Sequence, residues 1–189
     1  MDNVQGFLKL RQQEIQTQSD FLYDDIKFTT KIESTKMKNS TEFINTLHSI
    51  YLELPKPLRL ARNFKESLNE PTTILNTLRL RDKNGPIIGF AKGGPLERYQ
   101  LRSEIKDENF GKSNTIFLEP IALKMGYWGL GGGHEMRQLF VMQAHAMNYE
   151  YLTSFALRDV IERRCKGMER AEFVTKFDPE RWDYYRIKL

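Results

Sequence analysis

Cysteine is almost absent from the sequence, which has a single one, Cys165, in 189 residues. One cysteine forms no internal disulfide and supplies no cysteine-based zinc site. The three histidines, His48, His134 and His145, also lack metal-ligand spacing. Gln138 stands where a zincin motif begun by His134 needs its second histidine. The sequence therefore predicts neither a disulfide framework nor a metal site.

Long apolar runs and dense clusters of basic residues are also missing. No apolar stretch approaches the roughly 20 residues that cross a membrane, and the first residues lack the basic-then-apolar order of a signal peptide. The 29 lysines and arginines exceed the 25 acidic residues by a formal charge of only +4, and they are spread along the chain. These absences predict a cytoplasmic protein with no membrane or nucleic-acid partner.

Glycine, by contrast, is concentrated in one place. Five of the 12 glycines lie between residues 126 and 133. An apolar run over residues 115–123 precedes them, and a helix-like pattern over residues 134–147 follows. A strand, a glycine loop and a helix in this order expose unpaired backbone N–H groups at the positive end of a helix dipole, which is a place that binds phosphate groups. The alternative is a tight turn without a ligand, but a plain turn does not require the backbone entropy that five glycines cost.

Periodicity predicts mainly helices in the first third of the chain. A polar-rich helix over residues 4–22 and a strand over residues 26–32 form an extension, residues 1–38, that precedes a single domain over residues 39–189. A helix is predicted to begin at Ser40 or Thr41, either of which can cap it, and to be ended by Pro55 and Pro57. A second helix is predicted over residues 58–68.

The remainder of the chain is predicted to be mostly strands. Residues 73–80 and 86–91 form a hairpin around an Asn-Gly turn at residues 82–85, and Gly93-Gly94-Pro95 breaks its second strand. Residues 96–113 are a loop or a short helix. A strand over residues 115–123 contains Pro120, which cannot donate to a ladder and therefore predicts a bulge. Strands over residues 149–157, 172–177 and 182–187, with a helix over residues 159–165, complete an α+β fold.

Residues 126–131 read Gly-Tyr-Trp-Gly-Leu-Gly. They resemble the acetyl-CoA signature of the general N-acetyltransferase (GNAT) superfamily, Gln/Arg-x-x-Gly-x-Gly/Ala, which lies between that family's fourth strand and third helix. Gly129 and Gly131 occupy the two diagnostic positions, and Gly126 replaces the usual Gln or Arg. The hairpin around residues 82–85 is similar to the family's second and third strands. The resemblance implies a mixed antiparallel and parallel central sheet with a splayed strand pair and flanking helices.

The resemblance also implies a binding site for acetyl-CoA or another acyl-CoA. The diphosphate would lie on the backbone N–H groups from Tyr127 to Gly133 and on the helix that starts at His134. The bulge at Pro120 would separate a pair of strands and admit the pantetheine arm, and the N–H of Ile121 would polarise the thioester carbonyl. The indole of Trp128 would either cover the cofactor or pack on the sheet. The predicted cofactor-binding residues are Ile121, Leu123, Gly126, Tyr127, Trp128, Gly129, Leu130, Gly131, Gly132, Gly133 and His134.

Three residues are candidates for acid–base chemistry. Glu119, in the apolar strand before the bulge, is predicted to act as a general base or to hold a cationic amine, unless it faces outward at a sheet edge. Cys165 lies where members of the family often carry a tyrosine general acid, and it is either a weak acid for the CoA thiolate or a packed core cysteine. Tyr184 is an alternative acid, as is its neighbour Tyr185, and strand alternation predicts that one of the two faces the core.

Together these features predict an N-acyltransferase that moves an acetyl or other acyl group from acyl-CoA to an amine by direct attack. The alternative is a non-catalytic CoA or acyl-CoA sensor, or a degenerate domain of a larger protein, since Gly126 and Cys165 replace two functional residues of the family. A Rossmann-type dinucleotide site fits less well, because the glycine spacing is reversed relative to Gly-x-Gly-x-x-Gly. The N-terminal helix leaves a homodimer open, and the sequence specifies neither the acceptor amine nor the acyl-chain length.

Overall fold

The computed structural model describes residues 27–33, 40–60, 63–101, 105–158, 171–176 and 182–189. The helices predicted over residues 4–22 and 159–165 lie outside these ranges. The strands are β1 (Phe28–Ile32), β2 (Ile74–Leu80), β3 (Ile87–Pro95), β4 (Thr115–Leu118), β5 (Ala122–Leu123), β6 (Tyr151–Leu157), β7 (Ala171–Lys176) and β8 (Trp182–Lys188). The α-helices are α1 (Thr41–Tyr51), α2 (Phe64–Asn69) and α3 (Gly132–Ala146).

The eight strands form one mixed sheet, in the order β1-β2-β3-β4-β6-β8-β7, with β5 paired to β3. β4 and β6 run parallel, and β3 is antiparallel to both β4 and β5. The predicted α+β fold with a mixed sheet is therefore confirmed. The chain divides into two compact units, the first comprising Met1–Pro71, Leu75–Ala91 and Ile121–Leu139, and the second Thr72–Ile74, Lys92–Pro120 and Phe140–Leu189.

The core of the first unit is built around α1. The Ser40 side chain caps this helix by accepting the Phe43 N–H at 3.4 Å, as the sequence predicts. Apolar residues recur at helical spacing and bury one face of α1. The buried cluster that α1 forms with α2 and the sheet contains Phe43, Ile44, Leu47, Ile50, Tyr51, Leu54, Phe64, Leu68, Leu75, Ile87, Phe90 and Ala122.

The second predicted helix, over residues 58–68, is wrong in its start. A short 3₁₀ turn occupies Lys56–Leu58, and α2 begins only at Phe64. The Asn63 side chain caps α2 by accepting the Glu66 N–H at 3.3 Å. A capping asparagine takes a non-helical backbone, and the extended conformation of Asn63 separates the two elements.

The hairpin forms as predicted, but its second strand is longer. The turn closes through the Leu80 N–H to the Pro86 carbonyl at 3.1 Å, and the Asp82 side chain accepts the Asn84 N–H at 2.7 Å. β3 then continues through Gly93 to Pro95 instead of breaking. Gly93 faces Leu118, and a Cβ at Gly93 would lie 2.1 Å from the Phe117 carbonyl oxygen. The glycine here permits a close approach of β4 and does not mark a turn.

A buried polar network joins β1 to β2 in the first unit. Glu33 follows β1, and its N–H donates to the Leu75 carbonyl at 3.1 Å. Its Oε1 accepts from Arg79 Nη2 at 2.7 Å and from the Thr77 hydroxyl at 2.6 Å. Arg79 Nη1 also donates to the Gly85 carbonyl at 3.0 Å. This network ties a residue of the predicted extension to the sheet.

The bulge predicted at Pro120 is present. Between Leu118 and Ala122 the chain advances by four residues, while its partner β3 advances by only three, from Gly93 to Phe90. One extra residue on one strand is the defining feature of a β-bulge. Because Pro120 has no N–H to donate, the predicted single strand separates into β4 and β5.

Aromatic side chains fill the core of the second unit. The ring of Phe117 contacts those of Phe155 and Tyr184, with centroids 5.7 Å and 6.5 Å away. Tyr184 and Tyr185 are both buried, so both alternating faces of β8 are covered at this point. No described helix is long and apolar enough to cross a membrane.

Candidate functional site

The glycine loop lies between β5 and α3 in the first unit. A 3₁₀ turn, Met125–Tyr127, follows β5, and α3 begins at Gly132. The Tyr127 N–H donates to the Lys124 carbonyl at 3.0 Å, and the Trp128 N–H donates to the Met125 carbonyl at 3.5 Å. Both amides are therefore used within the loop.

Five consecutive backbone N–H groups beyond this turn are open. Those of residues 129–133 make no hydrogen bond to any described residue, whereas the His134 N–H donates to the Gly131 carbonyl at 2.9 Å. The predicted set of diphosphate-binding amides was thus too large. The N–H groups of Tyr127, Trp128 and His134 are not free, because they form hydrogen bonds within the 3₁₀ turn and at the start of α3. The open amides lie at the first turn of α3, where the helix dipole is positive.

The two diagnostic glycines adopt a backbone that other residues rarely take. Gly129 has φ 82° and Gly131 has φ 86°, and glycine reaches this region without a steric penalty. A Cβ on Gly131 or Gly133 would meet no heavy atom within 4 Å. At these two positions the loop combines open amides with open space, whereas a Cβ on the buried Gly132 between them would lie 2.3 Å from the Leu78 side chain.

Two side chains hold the start of the loop. The Trp128 indole N–H donates to the Leu123 carbonyl at 3.3 Å, and the Glu53 carboxylate accepts the Met125 N–H at 2.8 Å. Trp128 is partly buried and is anchored to the end of β5 through this hydrogen bond. The free amides therefore begin directly after an anchored segment.

β5 has one paired edge. Ala122 and Leu123 pair with Phe90 and Gly89 of β3, and no other described strand pairs with β5. The Ile121 N–H, just before it, donates to no described acceptor. In the second unit, pairing of β4 with β6 ends at Leu118 and Ser154, and β6 continues for three more residues paired with β8 alone. The predicted end of strand pairing at the bulge is confirmed.

Glu119 lies at the bulge and is only 3% exposed, so it does not face outward at a sheet edge. Its Oε1 accepts hydrogen bonds from the Lys92 ammonium and from the Tyr99 hydroxyl, the latter at 3.0 Å. Lys92 is 2% exposed. The structure thus places Glu119 in a buried ion pair within the second unit.

Sequence reasoning missed both partners of Glu119. Tyr99 comes from the segment after β3, and burial, followed by the negative charge of Glu119 and the hydrogen bond to it, raises the pKa of Tyr99 well above its usual value. Lys92 did leave a signal, because it is a single cation in an otherwise apolar strand, and such a residue is almost never buried unless it is paired. The partner itself is 27 residues away in sequence.

The Tyr184 hydroxyl forms a hydrogen bond within the protein. It donates to Asp107 Oδ2 at 2.6 Å, and Arg186 Nη1 lies 3.5 Å from Asp107 Oδ1. Burial, and then the hydrogen bond to Asp107, raise the pKa of Tyr184. In this structure Tyr184 is therefore a buried donor to Asp107, and its role as a general acid stays a prediction.

The raised pKa of Tyr184 makes stability fall at alkaline pH. Unfolded tyrosine ionises at a pH of about 10, so the contribution of the protonated hydroxyl is complete below that pH and is lost as the pH rises towards the folded value. We expect the free energy of unfolding of Tyr184→Phe to decline less steeply above pH ~10, by about 1.4 kcal/mol per pH unit. Urea unfolding at a series of pH values measures this slope, and equal slopes in the two proteins would contradict the assignment.

Cys165 lies outside the described residues. His134 is exposed, and its ring Nε2 lies 3.5 Å from Gln138 Nε2. Gly126 lies in the 3₁₀ turn and is exposed. Within the described ranges, no group of three or more His, Cys, Asp or Glu side chains could hold a metal ion.

Comparison with solved structures identifies the fold. The GNAT domain of S. lividans PAT matches with a TM-score of 0.56 and 8% identity, over 85% of this chain and 89% of that one. Arabidopsis thaliana NAA60 in complex with a bisubstrate analogue matches with a TM-score of 0.54 and 11% identity, over 86% and 97%. The N-acetyltransferase from Staphylococcus aureus Mu50 matches with a TM-score of 0.52 and 14% identity, over 86% and 98%. No protein-family model and no curated protein matches the sequence.

These structures define the class of fold. The chain has the fold of the GNAT superfamily, and the resemblance inferred from the glycine motif is confirmed at that level.

Proposed function

We propose that this protein is an acyl-CoA-dependent N-acyltransferase, in which an amine attacks the thioester directly. The observation that carries the proposal is the run of five open backbone N–H groups at residues 129–133, at the first turn of α3 in a GNAT fold. Backbone donors at a helix start favour a diphosphate through both hydrogen bonds and the helix dipole. The left-handed Gly129 and Gly131 and the empty space at Gly133 support the same site.

The strand break supports a place for the rest of the cofactor. The unpaired edge of β5 offers the backbone of Ile121 and Leu123, where the Leu123 carbonyl already accepts the Trp128 indole N–H at 3.3 Å. In this proposal the pantetheine arm pairs along that edge as a neighbouring strand would. The bound thioester supplies an activated acyl group. The Ile121 N–H then serves as the donor that polarises its carbonyl.

Glu119 is the proposed proton acceptor for the amine. Its Oε1 already has two donors, and its Oε2 accepts no hydrogen bond from the described residues. An attacking amine must first lose a proton, and a carboxylate is a suitable acceptor. The position of Glu119, two residues before Ile121 in sequence, supports this role.

A second candidate function is binding of the cofactor without acyl transfer. In this reading the protein is a CoA or acyl-CoA sensor. It is favoured by the engagement of both proposed acid–base groups, since Glu119 pairs with Lys92 and Tyr184 donates to Asp107. Neither of these two groups would then be available for proton transfer.

Two measurements separate these functions. Isothermal titration with acetyl-CoA is expected to show saturable binding, and desulfo-CoA should also bind if the diphosphate supplies most of the affinity. Thiol release from acetyl-CoA, followed with a panel of small amines and amine-bearing peptides, is expected above the amine-free rate. Binding without thiol release would favour the sensor, and the absence of binding would exclude both functions.

A further inference from the structure

The buried pair of Lys92 and Glu119 lies one residue beyond the last rung of the β3–β4 ladder. The Glu119 N–H donates to the Lys92 carbonyl at 3.0 Å, one residue beyond the pair of Gly93 and Leu118. Residues directly opposed across antiparallel strands project to the same face of the sheet. This register places the Lys92 ammonium against Glu119 Oε1. The pair therefore joins a residue of β3 to the first residue after β4.

A second donor fixes the same oxygen. The Tyr99 hydroxyl donates to Glu119 Oε1 at 3.0 Å, and the Tyr99 ring packs on Phe117 with centroids 4.4 Å apart. An ionised carboxylate has about four acceptor positions on its two oxygens. With two donors on Oε1, rotation of the carboxylate is restricted, and Oε2 is the oxygen to which the described residues give no hydrogen bond.

Stability alone does not account for this arrangement. Removing two charges from water is costly, and an apolar pair of similar volume is often at least as stable as a buried ion pair. The neighbours of the pair along the strands, Ala91, Phe117 and Leu118, are buried and apolar. A charged pair placed at the one bulge of this strand therefore points to a role in chemistry.

We propose that Lys92 and Tyr99 are positioning residues that keep the Glu119 carboxylate ionised and direct its Oε2 to the ammonium of the acceptor amine. The inference rests on the proposed function, in which Glu119 takes the proton of that ammonium. One N–H bond of the acceptor breaks and an O–H bond forms at Oε2. The freed nitrogen lone pair then forms the C–N bond of the amide while the C–S bond breaks, and the departing thiolate takes up a proton.

The side chains that contact the Glu119 carboxylate come from β3 and from the segment that follows it. β3 supplies Lys92, and the segment after β3 supplies Tyr99, with Arg98 next to it, whose positive charge acts on Tyr99. β6 faces the end of β4 with the uncharged Ser154. Because its pKa is raised, Tyr99 stays protonated over the range in which a carboxyl titrates.

The test replaces Lys92 by methionine, which has a similar length and no charge. We expect the titration midpoint of the Glu119 carboxyl to rise by roughly one to three pH units, the size that an opposite charge at close range supplies. Carbon-13 NMR follows this carboxyl, with Glu119→Gln to assign its signal. The pH at which kcat/KM for thiol release falls off on the acid side is expected to rise by a similar amount. Lys92→Arg keeps the charge and should stay close to wild type, and Tyr99→Phe should produce a smaller rise.

Lys106→Met is the matched control, because Lys106 is an exposed lysine of the same unit and should leave the midpoint unchanged. A folded Lys92→Met protein with the wild-type midpoint would overturn the inference, as would a lower kcat/KM at every pH with no shift. If Lys92→Met does not fold, an unchanged midpoint in Tyr99→Phe overturns it instead. A wild-type protein that releases no thiol with any amine contradicts the proposed function, and the NMR titration then decides the positioning role by itself.

Discussion

Replacing Gly133 by glutamate is expected to abolish the binding of acetyl-CoA while the protein stays folded. Gly133 lies in the first turn of α3, and a Cβ there meets no heavy atom within 4 Å. The new carboxylate would lie among the open amides that we assign to the diphosphate. Two unit charges about 4 Å apart repel by about 1 kcal/mol in water and about 4 kcal/mol near a protein surface, and the larger value corresponds to roughly a thousandfold weaker Kd. Isothermal titration measures the loss directly.

The position and the control are chosen so that charge alone is tested. Gly131 would be a poorer choice, because its φ of 86° would strain any other residue. Met142 lies on the same helix and is 67% exposed, so Met142→Glu adds the same charge away from the loop and should bind as wild type does. Binding by Gly133→Glu at wild-type affinity would show that the phosphates lie elsewhere. Loss of binding in both variants would indicate a general charge effect.

The glycine loop could be predicted because its determinants are local. Gly129 and Gly131 need a left-handed backbone, and a helix start needs only the residues beside it. The number of free backbone N–H groups in the loop was overestimated for a similarly local reason. Tyr127 and Trp128 carry no special backbone signal, so their use in a 3₁₀ turn could not be distinguished from an open loop.

The length of β3 could not be predicted, because glycine has two opposite meanings in a strand. Gly93-Gly94-Pro95 has the composition of a turn, but Gly93 is needed for the close approach of the Phe117 carbonyl. Only the neighbouring strand reveals which meaning applies. Pro120 was easier to interpret, because a missing N–H disturbs a ladder whatever its neighbour is.

The partners of the acid–base candidates depend on strand register. Glu119 meets Lys92 across 27 residues, and Tyr184 meets Asp107 across 77. A register of one residue more or less would turn these side chains to the other face. A single sequence therefore identifies Glu119 as a costly charge in an apolar strand, but it does not show that a buried lysine already balances it.

Replacing Arg79 by methionine is expected to lower the free energy of unfolding by about 3–5 kcal/mol, the cost of leaving one member of a buried ion pair without its partner. Arg79 and Glu33 are 7% and 5% exposed, and Arg79 donates to Glu33 Oε1 through both Nε and Nη2, at 3.3 Å and 2.7 Å. The variant would leave the Glu33 carboxylate in the core with the Thr77 hydroxyl as a close donor and the partly exposed Lys31 ammonium 3.9 Å from its Oε2. Urea denaturation followed by circular dichroism measures the change.

The double variant Glu33→Met/Arg79→Met distinguishes a buried charge from lost packing. Removing both charges is often neutral or stabilising, so the double variant should recover most of the loss, and the two substitutions should be strongly non-additive. Arg81→Met removes an exposed arginine from the residue just after β2 and should change stability by less than about 0.5 kcal/mol. If the double variant is as unstable as the sum of the single ones, the damage comes from shape and not from charge. Because Glu33 belongs to the segment assigned by sequence to an extension, a large effect at Arg79 would also show that this segment contributes to the stability of the sheet.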